Sequence, residues 1–538
     1  MKATCLPFVQ IPHTSRLFLD YLSYSPRVRQ FYPRSPSFPE WVKDEAGLVR
    51  YDEERRRRVC DVLERQNRSW NRGPKTFANI ERLRRGALAA VTGQQVGLFG
   101  GPLFTIFKAL SAVKLAEQAT ATGVDCVPIF WLATEDHDLA EVNHVSLLSE
   151  AGPAEPVATD SRGVEDAPVG AVKFGEEIEA VVGKAASLLG DTEAAKWLRE
   201  SYRTGETMGT AFAQLMARLF AGWGVILLNQ SDSELHAIAK PLFKQATERS
   251  AEIGQALLER GSELDLAGYH QQVKVTNATT LLFEIRNGVR TPIRRKGTDS
   301  IEFVVGEEAT SARDLLGRID QNPSGFSPNV LLRPIVQDYL LPTLVYTGGS
   351  AEVAYFAQVA VVYDKLLGRV TPVLPRYSAT LVEPKPQRLL ERYQLALPDL
   401  FHGPEKVREL IGSRSIPADL QSRFAAAFAG VEQSMAALSE SVGKLDPTLV
   451  EPTNSAKSKL IQELTRLQSR VAKSELQRNE IVGRHAEALS GALYPNKVLQ
   501  ERTIGGVSFV GKYGAGLLQD LYQNIHTDCH DHQVVEIG

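Results

Sequence analysis

Cysteine is scarce: four residues in 538, Cys5, Cys60, Cys126 and Cys529, with no Cys-x-x-Cys pair among them. So thin a set builds neither a zinc knuckle nor a disulfide framework, and it fits a reducing compartment. Long apolar runs are absent too, so nothing reaches the roughly 18 residues that would span a bilayer. The N-terminal stretch carries one lysine and no long apolar core, which is not the pattern of a secretory signal. Excess charge of either sign is missing. Sixty-one basic side chains face 64 acidic ones, a net of −3, and that gives no general attraction to nucleic acid or to an anionic membrane. These absences point to a cytoplasmic globular protein. Its length implies two to four lobes of roughly 100–200 residues each.

What is present is organised around Gly86 to Lys114. Ala87 to Val91 is a short apolar run that suits a buried strand. It breaks at Thr92-Gly93-Gln94-Gln95-Val96-Gly97-Leu98-Phe99-Gly100-Gly101-Pro102, and a helical pattern follows through Leu103, Ile106, Phe107, Leu110, Val113 and Leu115. Pro102 fits the first turn of that helix, where a missing N–H costs nothing. Strand, glycine-rich turn and helix N-terminus together predict an anion site, because free N–H groups and the positive dipole end converge there. The turn matches neither the dinucleotide fingerprint nor the P-loop, since no Lys-Ser/Thr pair follows Gly101. An ordinary turn in an α/β core is the competing reading.

A second apolar strand, Asp125 to Ala133, completes a right-handed βαβ unit. It ends in Thr134-Glu135-Asp136-His137-Asp138, followed by helix-like Leu139 to Val142. Ligands of open parallel sheets sit beyond the carboxyl ends of strands, so the glycine turn and this acidic tip point to one crevice. Farther on, the strand Thr343 to Tyr346 runs into Thr347-Gly348-Gly349-Ser350-Ala351-Glu352, a second glycine-bearing helix start and the expected opposite wall.

The remaining sequence divides around this core. Residues 1–150 hold an N-terminal arm and the first part of the core. Within them, 1–40 reads as an irregular surface arm and 41–85 as helical, with Arg55 to Arg58 on a solvated face of i,i+4 ion pairs. A helical insertion covers 151–205 and core returns over 206–230. A second insertion, 231–328, contains Thr280–Ile285 and Val289–Arg294 around an Asn287-Gly288 hairpin turn, with Ile301 to Val305 beside them; it is expected to lie apart from the core. Core resumes over 329–380. From 381 to 492 the chain is helical. Phe424, Phe428, Val431, Met435, Leu438, Val442 and Leu445 form a heptad seam that ends at Asp446-Pro447 and continues in Leu460, Leu464, Leu467 and Val471. An antiparallel helical hairpin is expected, its seam available to a second copy of the chain. Residues 493–538 return to the core.

Glu135, Asp136, His137 and Asp138, with Glu141 and His144, have the composition of a metal site, but one turn rarely supplies a closed first shell. No metal is expected there; capping a helix, holding an ammonium or moving a proton suits these groups better. The tail residues His526, Cys529, His530 and His532 read as an incidental polar stretch.

Several long motifs in order carry a resemblance over essentially the whole chain. They are Thr92-Gly93-Gln94-Gln95-Val96-Gly97-Leu98 with Gly100-Gly101-Pro102-Leu103 and Lys108; Phe130-Trp131-Leu132-Ala133-Thr134-Glu135-Asp136-His137-Asp138; Thr347-Gly348-Gly349 with Ala351-Glu352 and Tyr355; and Leu499-Gln500-Glu501-Arg502 with Lys512-Tyr513-Gly514. In these the sequence resembles the BshC family of bacillithiol biosynthesis. The resemblance implies an α/β fold with a Rossmann-like parallel-sheet core, two inserted connecting-peptide subdomains and an α-helical coiled coil that makes a homodimer. It also implies a ligase that joins L-cysteine to glucosamine malate through an amide bond. Such a bond forms uphill in water, so the cysteine carboxylate needs activation, usually with ATP, as an adenylate or phosphate shielded from water.

By strand-end placement the expected catalytic residues are His137, Asp138 and Gln95, with His137 or Asp138 taking the amine proton. The expected substrate-binding residues are Thr92, Gln94, Gly97, Gly101, Lys108, Glu135, Gly348, Gly349, Glu352 and Tyr355. The resemblance implies ATP or ADP near the base of the coiled coil, with Gln500, Glu501, Arg502, Lys512, Tyr513 and Gly514 as neighbours. Two other classes fit the residues: a nucleotide-binding dimeric scaffold without ligase chemistry, and a nucleotide-sugar transferase.

Overall fold

Strands that lack polar alternation are buried on both faces, and five of them form the central sheet. In chain order they are β1 (Leu88–Gln95), β2 (Cys126–Ala133), β3 (Ile226–Asn229), β4 (Thr343–Gly348) and β5 (Val373–Pro375). All pair in parallel, in the spatial order β5-β4-β1-β2-β3. The computed structural model describes residues 1–71, 73–149, 154–161, 163, 166–297, 302–414, 418–478, 480–526 and 529–538. The chain builds outward from β1 through β2 to β3, then returns to the other side for β4 and β5. The switch in direction therefore lies between β1 and β4, where loops diverge and leave a crevice. Around the sheet lie α1 (Phe104–Ala121), α2 (Ser233–Glu248), α3 (Arg333–Leu340) and α4 (Ser350–Leu367).

β1 is longer than its composition suggests. Thr92 to Gln95 stay in the sheet, in register with β2 as far as Gln95 opposite Ala133, because continuous pairing overrides the weak strand preference of Gly and Gln. The turn begins only at Val96 and makes a short 3-10 segment, Leu98–Gly100. Phe99 has φ 52° and Gly101 φ 69°. Helix α1 starts at Phe104, so Pro102 precedes its first turn and instead bridges to Gly505.

Residues 1–40 are not a surface arm. Ser15 caps a helix over Arg16–Leu22, and Leu17, Phe18, Tyr21, Val28, Phe31 and Tyr32 are all buried against the core. Tyr21 donates to the Val373 carbonyl at 2.5 Å and Tyr32 to that of Val353 at 2.8 Å. Aromatic rings of this size bury enough apolar area to hold the segment down. The arginine run also departs from expectation. Its pairs are i,i+3, from Glu53 to Arg56 and from Glu54 to Arg57. Arg56 is itself buried, donating to the Leu83 and Ala87 carbonyls at 2.9 and 3.2 Å.

The second sheet is antiparallel, ordered Glu308–Ser311, Glu302–Val305, Val289–Arg295, Thr279–Arg286, Phe326–Pro328. Its hairpin turns at Asn287 (φ 51°) and Gly288 (φ 80°), as the Asn-Gly pair predicts; Ile301 lies outside the described residues. It is not separate from the core, because Leu281, Leu282, Ile293, Phe303 and Val305 share one apolar cluster with β1 and β2.

The chain divides into two compact units. One spans Ala3–Ala379 and Glu501–Gln533; the other comprises Met1–Lys2, Thr380–Gln500 and Val534–Gly538. In the second, helices Ala418–Leu445 and Val450–Arg478 pack as a hairpin, reversed where Asp446 accepts the Thr448 N–H. Its seam differs from the heptad reading on both helices, and on the first Leu438 and Leu445 face solvent. On the returning helix Leu460 and Leu467 face solvent, while Ile461, Leu464 and Val471 are half-buried. Among the described residues no helix is long and apolar enough to cross a membrane.

Candidate active site

At the switch between β1 and β4 lies a cavity of about 740 Å³. The end of β1 supplies Gly93, Gln94 and Gln95; the segment after β2 supplies Asp136, His137 and Glu141; and the start of α4 supplies Gly349, Glu352 and Tyr355. The two strand ends, more than 250 residues apart in sequence, thus open onto one hollow. Helix α1 contributes Phe104 and Lys108, and the antiparallel sheet Phe283, Arg290 and Pro328.

Lys108 joins the two walls. Its buried ammonium donates to the Gly93 carbonyl at 2.7 Å, Gln94 Oε1 at 2.9 Å and Glu352 Oε2 at 2.5 Å. Glu352 also accepts from the Tyr346 hydroxyl at 2.5 Å and the Gly349 N–H at 2.7 Å. Burial works against its charge, yet Lys108, Tyr346 and Gly349 hold the Glu352 carboxyl below the ordinary range. Burial pulls the lysine down as well. Three N–H groups on three acceptors serve the ammonium form, so the pair is ionic.

The β2 side carries Asp136, Glu141, His137 and Arg290. Asp136 accepts from Gln95 Nε2 at 2.7 Å and from the His137 backbone N–H at 2.8 Å. Arg290 lies over the Phe283 ring at 4.1 Å, donates to Ser327 Oγ and the Pro328 carbonyl, and sets Nη1 3.2 Å from His137 Nδ1. A guanidinium only donates, so Nδ1 is the acceptor and the neutral ring carries its proton on Nε2. Burial lowers the Arg290 pKa. Behind this side, Glu135 pairs with His236 at 2.5 Å. Burial alone would discharge that imidazole, but Glu135 raises it above its ordinary value.

The β4–β5 side is cationic, with Arg333, Arg376 and Arg502. Arg376 binds Glu501 through both terminal nitrogens, at 3.0 and 2.6 Å. Its buried Nε has no protein partner. Arg333 donates to Tyr355 Oη and Gln337 Oε1, each at 3.0 Å. An anion brought here meets unspent donors and a positive field, which suits carboxylate or phosphate oxygens.

Of the expected substrate and catalytic residues, Gln94, Gln95, Lys108, His137, Gly349, Glu352 and Tyr355 line the cavity, as does Arg502 from the nucleotide set. Thr92 lies behind it, donating to the Thr347 carbonyl at 2.8 Å and so tying β1 to β4. Gly348 packs against Glu352, leaving only 2.8 Å where a Cβ would stand. Asp138 caps the short helix Leu139–Val142 by accepting the Glu141 N–H. Gly97 and Gly101 lie in the sealed turn, where Gly100 N–H meets Tyr202 Oη and Leu103 N–H meets the Ile504 carbonyl. These helix-start donors are spent inside the protein, so the turn is not the anion cradle its composition predicts. Gln500 clasps both backbone polar groups of Leu381 in the second unit. Glu501 backs Arg376. Lys512, Tyr513 and Gly514, at the end of helix Gly506–Tyr513, are outside the cavity lining.

Sequence reading missed Arg290, Arg333 and Arg376. Arg376 directly follows β5, so the strand-end rule applied once more finds it. Arg290 and Arg333 carry no such signal.

Parallel strands opening on a charged crevice at their switch point, with a coiled-coil unit in the same chain, define a Rossmann-like α/β protein. Comparison with known proteins narrows the class. Residues 1–377 match the family model for the N-terminal Rossmann-like domain of bacillithiol biosynthesis BshC, and residues 379–537 match that for its C-terminal coiled-coil domain. A protein of Koribacter versatilis is 46% identical over 537 residues, covering the whole of both chains. One of Solibacter usitatus is 35% identical over 540 residues, again covering both chains entirely. One of Salinibacter ruber is 34% identical over 532 residues, 97% of this chain and 96% of the other. All three bear the provisional name of cysteine ligase BshC. The chain belongs to the BshC family.

Proposed function

We propose that this chain is a carbon–nitrogen ligase that joins the carboxyl of L-cysteine to the amine of glucosamine malate, giving bacillithiol. The relatives' name supports the ligase class. The observation that carries the substrate pair is the polarity of the cavity, with Asp136 and Glu141 outnumbering Arg290 on the β2 side and Arg333, Arg376 and Arg502 outnumbering Glu352 on the β4–β5 side. An acidic side suits the amine substrate's ammonium; a cationic side suits malate carboxylates or a phosphate.

ATP supplies the activation of the cysteine carboxylate. The donor set fits its phosphates, since Arg376 Nε is buried without a partner and Arg502 stands beside the Ser350 hydroxyl. Asp136, next to Gln95, is placed to receive the amine proton. His137 donates through Nε2, while Asp138 supports the turn as a helix cap. Enclosure by Phe104, Trp131 and Phe283 limits water at the activated acyl group. Two copies of the chain associate through the helical hairpin, whose Leu438, Leu445, Leu460 and Leu467 are 48, 83, 47 and 51% exposed; a Leu460→Glu, Leu467→Glu variant should sediment as a monomer.

Purified protein incubated with isotope-labelled cysteine, glucosamine malate and ATP should yield the labelled amide, detected by mass. No amide with any nucleoside triphosphate, from folded protein, overturns the reading.

A further inference from the structure

Gln94 and Gln95 are consecutive, and a side-chain amide carries a donor at one end and an acceptor at the other. Their surroundings fix the two amides in opposite senses. Beside Gln94 stands the Lys108 ammonium, 2.9 Å away, which has no acceptor to offer. Gln94 must therefore turn its oxygen to the lysine, leaving its NH2 group for the cavity. Beside Gln95 stand two carboxylates, Asp136 at 2.7 Å and Glu141 at 3.2 Å, which at neutral pH only accept. Gln95 must turn its NH2 to them, leaving its oxygen. Both residues line the cavity, and because successive side chains leave a strand on opposite faces they reach it from its two sides. One donor and one acceptor thus flank the cavity at the end of β1, the donor on the Lys108 side and the acceptor on the Asp136 side.

We propose that this pair aligns the two reactants of amide formation: Gln94 NH2 receives the acyl oxygen, and Gln95 Oε1 receives an N–H of the attacking amine. Lys108 is the positioning residue that sets the sense of Gln94; Asp136 and Glu141 do the same for Gln95. The inference rests on the ligase reading above. In the step itself the amine lone pair forms the C–N bond while the π pair of the acyl C=O moves onto oxygen, where the Gln94 donor meets the growing charge. That pair then returns, the phosphate-bearing leaving group departs with its bonding electrons, and the surplus proton on nitrogen passes to Asp136. A donor matched to charge that exists only in the transition state acts on kcat. An acceptor that holds the ground-state amine acts on KM.

The test is therefore a split between neighbours. Gln94→Glu keeps the shape and removes the donor. It should lower kcat about 100-fold or more, the usual cost of losing one such donor, with KM for glucosamine malate within about threefold of wild type. Gln95→Met keeps the length and removes the acceptor; it should raise that KM about tenfold with a smaller change in kcat. Lys108→Met with Glu352→Gln removes both charges of the buried pair together and frees the Gln94 amide to turn. It should lose kcat as Gln94→Glu does, and adding Gln94→Glu should cost little more. A purely structural role for Lys108 predicts additive losses instead. Wild-type turnover with Gln94→Glu retaining full kcat, or with the two neighbours' effects exchanged, overturns this proposal and leaves the ligase reading standing. Folded wild-type protein that makes no amide overturns both.

Discussion

Two glycine-bearing turns lead from core strands into helices, and they come to opposite ends. In the turn after β1, the Gly100 N–H meets Tyr202 Oη at 3.2 Å, Gly101 N–H meets the Leu98 carbonyl and Leu103 N–H meets the Ile504 carbonyl. The Phe99 ring closes on Tyr202 at 4.8 Å. In the turn after β4, the Gly349 N–H is capped by Glu352, a carboxylate of the same helix. In both turns the N–H groups named here are met from inside the fold. The difference is what the internal partner does next. Tyr202 ends a chain of contacts inside the fold, whereas Glu352 reaches the cavity, holds Lys108, and through it orients Gln94. A glycine-rich helix start therefore marks a site only when its donors, or the group that spends them, still face the ligand. Arg333, Arg376 and Arg502 add charged donors for an anion on the β4–β5 side.

The hardest way to break the second turn is Glu352→Ala. It strands a buried ammonium and leaves the Tyr346 hydroxyl and Gly349 N–H without their acceptor. Removing one member of a buried pair costs about 3–5 kcal/mol, so the urea midpoint should fall by that equivalent. Glu352→Gln keeps an acceptor and should fall less. Equal stability of Glu352→Ala and wild type would show that the lysine is not held as an ion there.

The next test sits behind the cationic side. His532 is buried, its Nδ1 2.8 Å from Ser378 Oγ. Burial pushes its pKa down from 6.5 to about 4, with Arg376 adding to the effect and Glu501 opposing it. The unfolded chain takes up this proton near pH 6.5, and the folded one only near pH 4. Stability should therefore drain away as pH falls through that window and level off below it. The loss is about 3 kcal/mol at about 1.4 kcal/mol per unit. Denaturant midpoints at pH 7, 5.5 and 4.5 should converge between wild type and His532→Asn as the pH falls. Parallel curves for the two proteins would remove the histidine from the account.

Much of this arrangement was legible in the residues. Apolar runs marked β1, β2 and β4, and the strand-end rule brought Gln94 and Glu352 to one crevice because it depends only on parallel topology. What escaped depended on distant partners. Thr92 to Gln95 look like turn residues until β2 pairs with them. The Pro- and Ser-rich first 40 residues look loose until Tyr21 and Tyr32 find carbonyls hundreds of positions away. Arg290 arrives from a hairpin whose own sequence says only that it turns. On the returning helix the seam keeps Leu464 and Val471 but takes Ile461 in place of Leu460, because two adjacent apolar residues leave helix facing ambiguous to a heptad count.

Glycine substitutions sharpen the contrast at a smaller scale. A Cβ on Gly97 would stand 3.2 Å from Gly101 Cα, backbone that cannot step aside easily. Gly97→Ala should cost about 1–3 kcal/mol and leave kcat near wild type. A Cβ on Gly348 would meet the Glu352 side chain at 2.8–2.9 Å. Gly348→Ala should displace that carboxylate and lower kcat at least tenfold for a similar or smaller loss of stability. If both variants lose stability alone, the two turns do not differ in the way their contacts imply.

The smallest effect separates a cap from a catalyst. Asp138 accepts the Glu141 N–H at 3.1 Å at the head of a four-residue helix, and it stands outside the cavity lining while Asp136 stands within it. A lost cap of this kind costs about 1 kcal/mol. Asp138→Ser retains an oxygen that can cap but cannot take a proton at neutral pH, so it should keep both stability and turnover within about twofold. Asp138→Ala should lose the cap and change turnover only as far as Glu141 and Gln95 shift with it. Loss of turnover in the serine variant, with stability intact, would move the proton from Asp136 to Asp138 and redraw the acidic side of the cavity.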